Sequence, residues 1–73
     1  MDRFREGVSD QHNNYRSIFK AVNRPLLGWE ITAMYLAMFH KRYSDSSTTA
    51  RLREMPDVWC NLSTHEYNFV GGK

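Results

Sequence analysis

ITAMYLAMFHKRYSDSSTTARLREM, residues 31–55, reads as two short helices joined by a tight polar turn. The first opens at Thr32, whose hydroxyl can accept from a free N–H of the first turn. It carries Leu36, Ala37 and Phe39 and ends near Lys41 and Arg42, where positive charge suits a helix C-terminus. The second opens at Ser44 or Asp45 and runs through Leu52 to Met55. Pro56 stops it, because the residue before a proline is pushed away from helical geometry. A small Ala on one helix and a Ser/Thr-rich start to the other allow close packing with polar contact.

The flanks extend this pair to a whole domain. Upstream, Ser9-Asp10 offers a cap, and Tyr15, Ile18, Phe19 and Val22 share one helical face. Arg16, Lys20 and Arg24 form a basic row on another side, and Pro25 closes the segment. Pro25-Leu26-Leu27-Gly28-Trp29 is a connector too apolar to be a free linker; Leu26, Leu27 and Trp29 should cover an edge of the core. Downstream of Pro56 the period changes. Val58, Cys60 and Leu62 alternate with Trp59 and Asn61, and Tyr67-Asn68-Phe69-Val70 alternates again after a polar break, which predicts a β-hairpin. Helices over 10–23, 31–42 and 45–55 and a two-stranded hairpin within 58–70 make a mainly α (α+β) domain. Residues 1–73 form one unit, with 1–8 and 71–73 flexible and Phe4 folding back onto it. The first helix of the 31–55 pair, apolar almost all round, should be the most buried element. Ile18, Phe19, Val22, Leu36, Phe39, Leu52 and Leu62 are the expected core.

Composition narrows function. Ten aromatic residues in 73 favour a folded domain with a small core. The single cysteine, Cys60, excludes an internal disulfide and a Cys-based zinc site and suits a reducing, cytoplasmic setting. No apolar run approaches the ~20 residues of a membrane span, and MDRFREG lacks the apolar stretch of a signal peptide. The Asn61-Leu62-Ser63 sequon is therefore read as chance. His12, His40 and His65 lack metal-ligand spacing, and Glu30, Glu54, Asp57 and Glu66 show no pairing suited to acid–base work. Cys60 has no adjacent base. Trp29 and Trp59 read as core or rim aromatics. No enzyme, metal or cofactor is expected.

Charge is more telling in its distribution than in its net value of +2. Residues 16–53 hold seven basic side chains against Glu30 and Asp45, whereas the two ends are acidic on balance. Positive potential is thus concentrated on the 31–55 pair and the helix before it. The pair reads as a helix-turn-helix, with its second helix offered to DNA.

Ile31-Thr32-Ala33-Met34-Tyr35-Leu36-Ala37 resembles the opening of the second helix in the winged helix-turn-helix superfamily. Ser46-Ser47-Thr48-Thr49-Ala50-Arg51-Leu52-Arg53-Glu54-Met55 is similar to the recognition helix of small members often encoded by bacteriophages and prophages. The likeness covers about half the chain. It implies a DNA-binding protein, a small transcriptional regulator or recombination accessory factor, reading the major groove with residues 45–55. Two departures stand out. Pro56-Asp57 interrupts where the family commonly continues with basic residues and a Gly-containing turn, and the hairpin tip carries His65 and Glu66 where Arg or Lys is common.

On that reading Leu52 and Met55 face the core with Thr49 beside them. Ser46, Ser47, Thr48 and Arg51 then face outward near base edges, with Arg53 following. Arg16, Lys20, Arg24, Lys41 and Arg42 would meet phosphates, which position a protein without reading sequence. The bland alternative is capping chemistry for the Ser/Thr run and solvated charge for the rest. Double-stranded DNA is the expected partner, with a homodimer open. The rival function is a protein-interaction module on the same scaffold that binds and modulates another protein.

Overall fold

Both prolines punctuate the chain as the sequence predicts, and a third strand appears beside the first. The computed structural model describes residues 7–70. The expectations for Phe4, for the rest of 1–6 and for 71–73 lie outside those residues. The order is α1 (Val8–Val22), β1 (Leu26–Leu27), α2 (Gly28–Phe39), α3 (Asp45–Arg53), β2 (Val58–Asn61) and β3 (Glu66–Phe69). Three helices and a small antiparallel sheet of order β1-β3-β2 make an α+β fold.

Each helix ends for a local reason. Val8, expected in a flexible start, already belongs to α1, and the Gly7 carbonyl accepts from Gln11 N at 3.0 Å. At the far end Asn23 turns left-handed (φ 58°), and its N–H reaches the Phe19 carbonyl at 2.8 Å. Asparagine tolerates this conformation better than most residues. Helix α2 starts earlier than Thr32, because Glu30 reaches back to accept from Leu27 N at 2.8 Å. That hydrogen bond, seconded by Arg24, holds the Glu30 carboxyl below its usual pKa. Thr32 is instead inside the helix. α2 stops at Phe39 rather than Arg42, with His40 left-handed at φ 60°. Ser44 caps α3 by accepting from Ser47 N at 3.1 Å.

The core joins all three helices to the sheet. Tyr15, Ile18 and Phe19 of α1 meet Leu26, Ile31, Tyr35, Leu52, Met55 and Tyr67. Tyr35 is the hub of the aromatic contacts, with ring centroids 5.0 Å from Tyr15, 5.0 Å from Phe39 and 5.4 Å from Tyr43. Phe19 stacks on Phe69 at 6.0 Å. Val22 and Phe39 are partly buried against this cluster. Leu36 and Leu62 are not core. Leu36 is 37% exposed, because α2 turns its Ile31–Tyr35 side inward. Leu62 is 84% exposed, because β2 ends at Asn61, whose side chain accepts from Ser63 N at 2.9 Å and begins the turn. Leu26 is fully buried, and its connector is a strand: Leu26 pairs with Tyr67 and Leu27 with Glu66.

Candidate functional site

Helix α3 packs on α2, α1 and β2, and these contacts decide which of its side chains remain available. Leu52 and Met55 are buried, as the helical spacing predicts. Thr48 and Thr49 exchange the roles expected of them. Thr48 is 1% exposed, and its Oγ1 accepts from Thr32 Oγ1 at 2.9 Å, while Thr49 is half-buried and donates to the Asp45 carbonyl. Thr48 is therefore a helix-to-helix contact and is not offered to solvent. A polar helix can face inward through a threonine when a hydroxyl across the interface satisfies it.

The outward side of α3 carries Asp45, Ser46, Thr49, Ala50 and Arg53, which line a shallow depression of about 360 Å³. Ser46, Ala50 and Arg53 are exposed and fall at offsets of four and seven, one helical stripe. Ala50, which carries no binding chemistry of its own, belongs to the site by position. Its small side chain keeps the centre of the stripe low, a feature legible in the 46–50–53 spacing. Ser47 is exposed beside the cap, and Lys41 and Arg42 are exposed in the turn that leads into α3.

Arg51 and Arg16 are held elsewhere. Arg51 Nη1 donates to Glu54 Oε1 at 3.0 Å, and His12 Nε2 approaches the same oxygen at 3.3 Å from α1. An ionised carboxylate only accepts, so His12 must carry its proton on Nε2 for that contact to bond. Arg16 grips Asp57 through Nε at 2.6 Å and Nη2 at 3.4 Å, and its Nη1 donates to Asn13 at 2.9 Å. This fork lowers the pKa of Asp57 against the opposing effect of desolvation and raises that of Arg16.

Lys20 and Arg24 form a third group. They line a cleft of about 540 Å³ with Phe19, Asn23, Pro25, Asn68 and Phe69, and no residue of α3 contributes to it. Arg24 also donates to the Pro25 carbonyl and reaches Glu30 at 3.4 Å. The basic row of the sequence is thus split: Arg16 serves the α1–β2 junction, whereas Lys20 and Arg24 serve the end of α1. The hairpin turn is lined by Leu62, Ser63, Thr64 and His65, with His65 left-handed at φ 62°.

Among the described residues no group of three or more His, Cys, Asp or Glu could hold a metal, and no helix is long and apolar enough to cross a membrane. Trp29 and Trp59 are exposed, at 62% and 57%, so Trp29 does not cover an edge of the core as its connector predicts. No protein family, curated protein or solved structure matches the chain.

Proposed function

We propose that the chain is a small DNA-binding protein of the winged helix-turn-helix kind, a regulator or recombination accessory of phage or prophage type. The carrying observation is the outward stripe of α3. Ser46, Ala50 and Arg53 are exposed together, and among the described residues Arg53 makes no ion pair. A low stripe with a guanidinium that pairs with no described carboxylate suits entry into the major groove and a bidentate contact to guanine. On this reading Lys41 and Arg42, exposed in the turn before α3, would meet phosphate. Three helices followed by a hairpin support the same reading. Arg51 becomes secondary, because Glu54 competes for its fork.

The test is fluorescence anisotropy on a selected duplex and a scrambled one at matched salt. Arg53→Ala should cost about 1–3 kcal/mol on the selected site and flatten its preference. Lys41→Ala should weaken both duplexes alike and lower the salt slope by about one. A parent protein with no affinity for either duplex at low salt would refute the reading. One observation favours the rival, a protein-interaction module. The turn of residues 62–65 offers Leu62 to solvent and holds no lysine or arginine.

A further inference from the structure

Helix α2 has two apolar sides and uses one. Ile31 and Tyr35 are buried, with Met34 and Phe39 packed against the core. On the opposite side Trp29, Ala33, Leu36 and Ala37 recur at offsets of four, seven and eight, and all four are exposed. No charged residue occurs between Ile31 and Phe39. Trp29, Ala33 and Leu36 line one cleft together, so the outward apolar residues of α2 form a shared surface.

This surface forms one wall of a cleft of about 630 Å³, whose other wall is the turn of Arg42, Tyr43, Ser44 and Asp45. Ala33, with its small side chain, leaves the middle of the cleft open, Trp29 is exposed at one end, and the two charges on the other wall are opposite in sign. Among the described residues neither Arg42 nor Asp45 takes part in an ion pair.

We infer that the α2 face is a two-fold interface between two copies of this chain. A two-fold contact uses the same patch twice, so the patch must complement itself. This one does so in shape, offering both an indole to insert and a cleft to receive it. It does so in charge, since a two-fold operation can set Arg42 of each copy against Asp45 of the other. A heterologous partner would need neither property. Trp29 and Leu36, the large apolar side chains of this face, are the anchors of the contact. The inference does not rest on the DNA reading, although it draws on Arg42, which that reading sets against phosphate, and on Asp45 at the start of α3; its test contains no DNA.

Sedimentation equilibrium over a concentration series should show the parent rising from monomer toward twice its mass. Leu36→Lys should weaken association by about tenfold or more while leaving the melting temperature near that of the parent. The charge swaps are sharper. Arg42→Asp alone and Asp45→Arg alone each place like charges together and should each weaken association. An equimolar mixture of the two variants re-forms both pairs, one in its original sense and one reversed, and should associate more tightly than either variant alone. A parent that stays monomeric at every concentration overturns the proposal, as does a mixture no tighter than its components. Concentration-dependent amide shifts confined to the 62–65 turn or the sheet would overturn it too.

Discussion

Helix α2 is apolar on nearly every side and helix α3 polar on nearly every side, yet each turns one narrow stripe into the same core. α2 has more hydrophobic surface than the core takes, so Trp29 and Leu36 are left outside. α3 has less, so Thr48 goes inside with Leu52. In α2 the hydrophobic period does not choose the inward face, and in α3 it places Leu52 but not Thr48. That choice rests on particular partners: the Thr32–Thr48 hydroxyl bond between the helices, and the rings that surround Tyr35. Excess and deficit thus leave opposite kinds of surface, an apolar face on α2 and a polar stripe on α3.

The widest contrast lies between two leucines. Leu52→Ala removes a side chain that is 1% exposed and should cost about 2–5 kcal/mol. Leu36→Ala, on the outward side of α2, should stay within about 0.5 kcal/mol when measured under monomeric conditions. Urea melts of the two variants compare them directly. Equal losses would mean that α2 is rotated from the orientation described.

The threonines give a smaller contrast. Thr48→Val removes the nearer of two acceptors of the Thr32 hydroxyl, the other being the Gly28 carbonyl at 3.2 Å, and should cost about 1 kcal/mol. Thr49→Val removes only a bond to the Asp45 carbonyl within α3 and should be nearly neutral. A double-mutant cycle of Thr32→Val with Thr48→Val should show coupling, and additive losses would dissolve the proposed contact.

The smallest effect is read by pH. Arg16 lowers the pKa of Asp57, so the pair stabilises the fold above the ordinary carboxylate range and loses this contribution as pH falls through the native value. The stability difference between the parent and Asp57→Asn should therefore shrink on acidification below about pH 4. A difference that is flat down to pH 2 (about two units further) would remove the ion pair from the account.

Much of this architecture is legible in residue order. The change of period at Pro56 announces the hairpin, and Ser44 announces the start of α3. Strand β1 is not legible, because two residues cannot display a period and Leu26 becomes a strand only by meeting Tyr67. The start of α2 is hidden for a similar reason: Glu30 caps from inside the helix, while Thr32 has the better-looking hydroxyl. At the candidate site, the exposure of Ser46 and Arg53 follows from helical spacing. The diversion of Arg16 to Asp57 does not, since that partner lies 41 positions away.

Strand β3 is the middle strand of the sheet although it is the last of the described strands in sequence. Until Glu66–Phe69 has been made, β1 and β2 have nothing to pair with, and Phe19 and Leu26 lack the partners that Phe69 and Tyr67 supply. All three helices can therefore be complete while the domain is still unfinished. A chain ending after Asn61 should keep only part of its helical circular dichroism and lose its cooperative melt. A sharp melt in that fragment would show that the helices stand without the sheet. The full chain, closing over such long separations, should fold in one step and more slowly than a helical bundle of its length.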